Sequence, residues 1–211
     1  MKGVANIYAI VPAAGRSRRF GGMKQVAPAA DGKPMLRGVI DAVRDGGVRH
    51  VLIVANEALR PHLPRLLADA RVVFNDEPEA EMIDSIRLGL RAWEETNGPA
   101  TRDGAGGFLV CPCDAAGLSA DDVHRCVDAF GEDPTRLVIA SRNGKRGHPI
   151  LFPAALASVV LSGQCDAGLN QLAKSRPQDV KLVDCKSPGV TANVNTPQDM
   201  TGARTDAGKQ E

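Results

Sequence analysis

The sequence predicts an α/β fold, an open and mainly parallel β-sheet with helices on both faces. Short apolar runs, too brief for helices, alternate with segments of helical spacing along the chain. Apolar residues make up 43% of the 211 residues, which is enough for a substantial core. Alternating strands and helices are typical of parallel sheets covered on both faces. Because ligands of such sheets bind beyond the carboxyl ends of the strands, we expect the functional site at that edge.

Each predicted element follows from the spacing of its apolar residues. The predicted strands cover 7–11, 51–54, 71–74, 108–111, 137–140, 149–152 and 180–183. The predicted helices cover 35–44, 57–70, 82–93, 120–130, 154–161 and 167–174. Pro61 and Pro64 must lie in the first turns of the second helix or break it. Ser119 is the predicted N-cap of the fourth helix.

Length and composition exclude several classes of protein. We expect one domain over 1–201 and a polar, disordered tail at 202–211. The net charge of +1 and the 3% aromatic content argue against nucleic-acid binding. No apolar run approaches the roughly 20 residues of a membrane-spanning helix. Five cysteines without the spacing of a disulfide framework predict a reducing, cytoplasmic location.

The loop after the first predicted strand has the composition of a phosphate-binding loop. Four cations, Arg16, Arg18, Arg19 and Lys24, lie within nine positions among small residues and glycines. Small residues let the backbone approach a ligand, and successive amides together with cations bind anions. The Walker and dinucleotide-binding patterns are both absent. The remaining alternative is a strand followed by a solvated basic turn.

This loop resembles the signature of the MobA-like NTP transferase family, which serves molybdenum cofactor biosynthesis. The family pattern is Leu-Ala-Ala-Gly-x-Ser-x-Arg-Met-Gly-x-x-Lys, and only Pro12 and Phe20 depart from it here. The resemblance implies that Arg19 and Lys24 stabilise the charge of a departing pyrophosphate. It also implies CTP, because Ala-Ala-Gly accompanies CTP in this family. The implied nucleotide-binding residues in this loop are Ala13, Ala14, Gly15, Ser17, Arg19 and Lys24.

Asp114 is the best candidate for a catalytic, metal-binding carboxylate. It follows the strand at 108–111 and therefore belongs to the same sheet edge as the Gly15 loop. Phosphoryl transfer from a nucleotide calls for a divalent cation, and Mg²⁺ prefers one or two carboxylates with waters and phosphate oxygens. The family motif Asp-x-Pro lacks its proline here. The alternative is an aspartate that only begins a helix.

Asn193 is the second predicted metal ligand. The segment 193–199 resembles the C-terminal family motif Asp-x-Asp/Asn-Thr-Pro-Glu-Asp, whose first position helps to bind the metal. Asn193 would offer a neutral carbonyl oxygen, and Asn195 is the alternative ligand. Without the resemblance, this segment is a turn before a last helix.

Three further motifs concern the base and the acceptor. The segment 81–89 resembles Gly-Met-x-x-Ser-Leu-Arg-x-Gly, which implies Ser85 near the nucleotide, although Glu81 replaces the first glycine. The segment 146–152 matches the Arg-Gly-His-Pro-x-Leu-Phe motif of the cytidylyltransferase branch and implies acceptor binding by Arg146 and His148. Asp166 fits a third motif for the acceptor less completely. Without the resemblance, the segment with Ser85 is an ordinary amphipathic helix, and the segment with Arg146 and His148 is a basic turn before a strand.

The resemblance implies a Rossmann-like sheet of the nucleotide-diphospho-sugar transferase type. It implies an enzyme of the molybdenum cofactor cytidylyltransferase branch, which uses Mg²⁺ to move CMP from CTP to molybdopterin and releases pyrophosphate. The expected partners are CTP or GTP, a small anionic acceptor, and a molybdoenzyme or cofactor-insertion protein. Two alternatives stay open. One is another cytidylyl- or guanylyltransferase with a methylerythritol phosphate or sugar phosphate acceptor. The other is a catalytically weakened nucleotide-binding protein.

Overall fold

The computed structural model describes residues 6–17, 19–66, 70–98, 106–192, 194, 196 and 199. The strands in these ranges are β1 Ile7–Ala13, β2 His50–Ala55, β3 Arg71–Phe74, β4 Gly107–Val110, β5 Leu137–Arg142, β6 Lys145–Pro153 and β7 Val180–Asp184. The α-helices are α1 Met35–Asp45, α2 Leu63–Leu66, α3 Met82–Asn97, α4 Ala120–Glu132, α5 Ala157–Leu161 and α6 Asn170–Ser175. Asn193 and the predicted tail at 202–211 lie outside the described residues.

The strands form one sheet in the order β3-β2-β1-β4-β6-β5-β7. The pairs β1–β2, β1–β4, β2–β3 and β5–β7 are parallel, and β6 runs antiparallel to both of its neighbours. The predicted open, mainly parallel sheet is confirmed. β1 lies between β2 and β4, so the loops after β1 and β4 leave the same edge of the sheet side by side.

Alternating side chains of β1 divide the core between the two faces of the sheet. Ala9 and Val11 pack on one face with apolar residues of α1 and α4. Ile10 packs on the other face with residues of α3, α5 and α6. Both faces are therefore covered, and a ligand is expected at the open edge near the carboxyl ends of the strands. None of the described helices is long and apolar enough to cross a membrane.

The second predicted helix differs from the structure. The helix predicted at 57–70 is a 3₁₀ segment, Glu57–His62, followed by the short α2. Pro61 lies inside the 3₁₀ segment, because its missing amide and its ring are incompatible with a regular α-helix interior. Ser119 caps α4 as predicted, with its hydroxyl accepting the Asp122 amide at 3.2 Å.

The strand predicted at 149–152 is longer in the structure, where β6 covers Lys145–Pro153, so the alternative of a basic turn with His148 in a loop is wrong. Asn143 and Gly144 form the turn alone, with φ angles of 52° and 76°, and β6 begins at the next residue. Both residue types accept positive φ in a two-residue hairpin. Arg146 and His148 consequently lie on a strand, and their positions are set by the sheet.

Candidate active site

The loop after β1 is held by two side chains from outside it. The Gln25 side-chain amide donates to the carbonyls of Ala13 and Gly15 at 2.7 and 2.8 Å. The Asn56 amide donates to the Ala14 carbonyl at 2.8 Å. Gln25 is 1% exposed, so these hydrogen bonds are sheltered from water. Motif matching gave no role to Gln25 or Asn56, although Asn56 directly follows an apolar strand at this edge.

Lys24 and Asp114 form an ion pair at the carboxyl edge of the sheet. The Lys24 Nζ lies 2.6 Å from the Asp114 Oδ2, and the two side chains are 14% and 11% exposed. The Val194 amide donates to the Asp114 carbonyl at 3.3 Å, and the Val194 carbonyl accepts from Lys24 Nζ at 3.5 Å. Three distant segments of the chain therefore meet at this pair.

A first cavity of about 520 Å³ opens over this pair. Five predicted site residues line it, namely Ala14, Gly15, Lys24, Ser85 and Asp114. Ser85 is buried, and its hydroxyl accepts from the Asn75 amide at 3.4 Å. Arg16 also lines this cavity, and Cys113 lies at its floor, where burial raises the pKa of the thiol to about 12.

The remaining predicted residues of the loop lie beside the first cavity. Ala13 is buried at the end of β1, below the loop. Ser17 has a φ of 51° and directs its hydroxyl to the Gly15 carbonyl at 3.5 Å. Arg19 is exposed in the turn that follows. The structure thus brings the loop, Lys24 and Asp114 together, and the functional roles of these residues stay predictions.

A second cavity of about 680 Å³ adjoins the first. Glu81 and Met82 line both cavities. The second cavity also contains Arg146 and His148, the neighbouring cation Lys145, and Lys174, which no motif predicted. The cavity therefore combines three permanent cations with one carboxylate, which suits a small anionic molecule.

His148 contributes a neutral group to this cavity. Burial lowers the pKa of its imidazole, and a hydrogen bond with the Val110 backbone and the charge of Asp114 offset this only in part. Its Nδ1 atom is buried and has no hydrogen-bond partner among the described residues. At neutral pH the imidazole is therefore uncharged and keeps one polar atom unpaired.

Asp166 and Glu81 occupy positions that the motifs alone do not predict. Asp166 lines neither cavity, and its carboxylate pairs with Arg87 of α3. The Glu81 carboxylate accepts the Asp84 amide at the start of α3, while the Asp84 side chain accepts the Glu81 amide at 2.9 Å. This capping box satisfies the helix start and fixes Glu81 at the wall between the cavities.

The donor groups at the sheet edge fit a divalent cation bound together with a nucleotide. The described residues contain no group of three or more His, Cys, Asp or Glu side chains that would hold a metal alone. Asp114 supplies one carboxylate beside the first cavity. Mg²⁺ commonly binds through one or two carboxylates and completes its shell with water and phosphate oxygens. The predicted second ligand, Asn193, lies outside the described residues.

Residues 9–180 match the family model of the MobA-like NTP transferase domain. The chain belongs to this family. The matched range contains every residue that lines the first cavity and all those that line the second except Val190 and Thr191. The protein is therefore a MobA-like nucleotidyltransferase. The predicted family is thereby confirmed.

Two curated relatives match the MobA-like chain over almost its whole length. Phosphoenolpyruvate guanylyltransferase of Rubrobacter xylanophilus is 28% identical, with 97% of each chain covered. Molybdenum cofactor guanylyltransferase of Shewanella sediminis is 31% identical, with 91% of this chain and 92% of the relative covered.

Solved structures of low sequence identity share the fold. Rv0371c of Mycobacterium tuberculosis superimposes with a TM-score of 0.76 at 22% identity, covering 96% and 98% of the two chains. A manganese complex of Rv0371C from the same organism superimposes with a TM-score of 0.69 at 20% identity, covering 96% of this chain and 99% of that chain. The 4-diphosphocytidyl-2C-methyl-D-erythritol synthase of Anaerococcus prevotii gives 0.73 at 16% identity, covering 98% and 97%. The MobA-like chain therefore has the nucleotide-diphospho-sugar transferase fold.

Proposed function

We propose that this nucleotidyltransferase moves CMP from CTP to a phosphate group of a small anionic acceptor, with molybdopterin as the first candidate. The observation that carries the proposal is the common wall of the two cavities. Glu81 and Met82 separate the cavity with the Lys24–Asp114 pair from the cavity with three cations. A nucleotide in the first cavity and an anionic acceptor in the second would meet across this wall.

In the proposed reaction, an acceptor phosphate oxygen attacks the α-phosphorus of CTP. A new oxygen–phosphorus bond forms, the bond to the β-phosphate bridging oxygen breaks, and pyrophosphate leaves with that electron pair. The loop at 14–17 holds phosphates, and Arg19 and Lys24 stabilise the charge that develops on the pyrophosphate. Fixed charges of this kind are the main catalytic resource in phosphoryl transfer.

Asp114 and Asn193 are the residues that would hold a divalent cation, with Mg²⁺ as our proposal. When bound, the cation would neutralise phosphate charge and orient the transferred group. Arg146, Lys145 and Lys174 would bind the anionic groups of the acceptor, and the neutral His148 would contact the acceptor without adding charge. A molybdoenzyme or cofactor-insertion protein is the proposed recipient of the product.

Guanylyl transfer is the second candidate function. Both curated relatives described above are named guanylyltransferases, one for molybdenum cofactor and one for phosphoenolpyruvate. The three cations of the second cavity suit a small molecule with one phosphate and one carboxylate as well as they suit molybdopterin. The Ala13-Ala14-Gly15 stretch is what favours CTP within the family.

Pyrophosphate release with a matrix of substrates tests the proposal. Purified protein with Mg²⁺ is given CTP, GTP, ATP or UTP, each with molybdopterin, phosphoenolpyruvate or methylerythritol phosphate. We expect release with CTP and molybdopterin. Release only with GTP would replace the first proposal by guanylyl transfer, and the productive acceptor would identify which kind. Nucleotide binding without release in any combination would indicate a nucleotide-binding protein that has lost catalysis.

A further inference from the structure

Arg87 connects three parts of the chain beside the second cavity. Its side chain is 14% exposed, and it extends from α3 toward α5 and the loop that follows. The Nε atom donates to the Val160 carbonyl at 2.9 Å, and the Nη2 atom donates to Asp166 Oδ1 at 2.5 Å. The Nη1 atom lies 3.6 Å from Asp84 Oδ1 in the first turn of α3. One planar guanidinium thus bonds a helix carbonyl and pairs with two carboxylates.

The segment held by Arg87 forms part of the second cavity. Residues 162–168 follow α5, and Ala167 and Gly168 line the cavity together with the start of α6. The segment contains two glycines at positive φ, Gly163 at 90° and Gly168 at 100°. Its described internal hydrogen bonds include the one from the Gly168 amide to the Cys165 carbonyl at 2.8 Å. Contacts from outside the segment, such as those of Arg87, therefore add to its order.

Another part of the lining of the same cavity is formed by α3 itself. Met82, Ile83 and Ile86 line it, within the first five residues of the helix that carries Arg87. Arg87 therefore joins two parts of the cavity lining through one side chain. The relative position of these two parts affects the shape of the space that an acceptor can enter.

We propose that Arg87 is a positioning residue that holds the segment 162–168 against α3 and so sets the shape of the acceptor cavity. Asp166 acts through Arg87 and does not touch the acceptor. The role toward an acceptor rests on the proposed function. The role in ordering the segment does not depend on it.

Hydrogen exchange in the absence of any ligand tests the ordering role. We expect Arg87→Gln to raise the exchange rate of amides in 162–168 by about tenfold, because the local opening free energy falls when the guanidinium is lost. Arg87→Lys keeps the charge but not the fork of donors, and we expect a smaller increase. Arg125→Gln is the control, since Arg125 pairs with Asp121 at 2.9 Å on the exposed face of α4. Exchange in 162–168 equal to the control in both Arg87 variants would overturn the proposal.

Steady-state kinetics tests the role toward the acceptor. With whichever of molybdopterin and phosphoenolpyruvate supports pyrophosphate release, we expect Arg87→Gln to raise the acceptor KM about tenfold. The nucleotide KM and kcat should stay within about threefold of the parent values. Asp166→Asn should raise the acceptor KM as well, and the Arg87→Gln/Asp166→Asn double variant should be no worse than Arg87→Gln alone.

The outcomes separate this proposal from the proposed function. Multiplicative effects of the two substitutions would mean that Asp166 acts independently of Arg87, which overturns its assignment here. An unchanged acceptor KM in Arg87→Gln would overturn the cavity-shaping role. If the parent protein transfers no nucleotide to molybdopterin, phosphoenolpyruvate or methylerythritol phosphate, the proposed function fails, while the exchange experiment still decides whether Arg87 orders the segment.

Discussion

Lys24 and Asp114 carry opposite charges 2.6 Å apart at the edge of the first cavity. Their proposed roles are different, since Lys24 is suited to phosphate oxygens and Asp114 to a cation. In the ion pair, each side chain therefore occupies the position that the ligand of the other would take. A nucleotide that arrives with a divalent cation offers both replacement partners at once, so neither charge has to be left unpaired.

Replacing Lys24 by alanine tests its catalytic role. We expect kcat for nucleotidyl transfer to fall by about 100-fold or more, because a fixed cation toward the leaving pyrophosphate is lost. The free energy of unfolding should fall by only about 1–2 kcal/mol, since Asp114 borders a cavity that admits water. Initial rates and urea unfolding of the same preparation measure the two effects.

Lys33→Ala is the control for this substitution. Lys33 pairs with Asp41 at 3.3 Å, and its side chain is 57% exposed, away from both cavities. We expect its kcat to match that of the parent. Full activity of Lys24→Ala would remove Lys24 from the proposed mechanism.

Residue-scale prediction succeeded where the position follows from topology. Asp114 was expected beside the Gly15 loop because carboxyl ends of parallel strands share an edge, and the structure pairs it with Lys24 from that loop. The pairing of Asp166 with Arg87 was not predictable, because it depends on how a loop packs against a distant helix. The same is true of Gln25, whose two carbonyl partners are defined only once the loop has folded around it.

At the scale of elements, the segment after β7 is held by the start of α4. Asp122 is fully buried, and its carboxylate accepts the amides of Lys186 and Ser187 at 3.0 and 2.7 Å. This segment continues through Val190, which lines the second cavity, to Val194, which touches the Lys24–Asp114 pair. One carboxylate on the far side of the sheet thus fixes the path of a segment that completes the site.

Asp122→Asn tests this arrangement through its pH dependence. Burial alone would raise the pKa of Asp122, but hydrogen bonds from the Ser187 hydroxyl and from two backbone amides outweigh it, so the pKa lies below its usual value of 3.8. A carboxyl whose folded pKa is depressed stabilises the fold above the unfolded pKa of about 3.9, and loses that contribution as the pH falls through the folded pKa.

We therefore expect Asp122→Asn to lower the free energy of unfolding by about 2–3 kcal/mol at pH 7. The difference from the parent should shrink as the pH falls below about 4, because Asp122 then binds a proton in the unfolded parent before it does so in the folded parent. Urea unfolding between pH 7 and pH 3 measures the loss of stability and its dependence on pH. A difference that stays constant over this range would show that the carboxylate charge is not what holds the segment.

Close approach of β6 to the same segment gives a second test at this scale. A Cβ on Gly147 would lie 1.8 Å from the Val190 carbonyl oxygen, so backbone would have to move. We expect Gly147→Ala to lower the free energy of unfolding by about 3 kcal/mol or more. Gly131→Ala in α4 is the control, because nothing lies within 4 Å of its Cβ position.

We expect Gly131→Ala to raise the free energy of unfolding by about 0.5–1 kcal/mol, through the higher helix propensity of alanine. Thermal and urea unfolding of both variants measure the contrast. Equal effects of the two substitutions would contradict the close packing of β6 on Val190.

Elements were predicted best where local sequence and tertiary packing agree. The alternation of strands and helices predicted the sheet, since each run buries its apolar side chains on one face or both. The 57–70 helix failed at Pro61, where the missing amide outweighed the apolar spacing. The start of β6 was missed because Asn143 and Gly144 complete the turn in two residues, so that the charged residues Lys145 and Arg146 already belong to the strand.

At the scale of the whole molecule, charge is distributed unevenly between the two cavities. Glu77, Glu79, Glu81 and Asp114 line the first cavity, against the cations Arg16 and Lys24. The second cavity has the opposite balance, with Lys145, Arg146 and Lys174 against Glu81. A free nucleoside triphosphate would meet net repulsion in the first cavity, and a divalent cation would reverse it.

This charge balance predicts that nucleotide binding stabilises the protein only together with a divalent cation. At a CTP concentration of 100 times its dissociation constant, linkage gives about 2.7 kcal/mol of stabilisation. For a chain of this length that corresponds to a rise in Tm of about 5–10 °C. We expect this rise with Mg²⁺ and CTP, a similar rise with Mn²⁺, and little or none with CTP and EDTA.

Asp114→Asn separates the effect of the cation from that of the nucleotide. The amide keeps the shape of the side chain but lacks the charge that attracts a divalent ion, so we expect it to lose most of the Mg²⁺-dependent rise in Tm. Arg125→Gln, on the exposed face of α4, should keep the full rise in Tm. An equal rise with CTP in EDTA would contradict the idea that the acidic lining makes the cation necessary, and the phosphates would then have to be held by the loop and Lys24 alone.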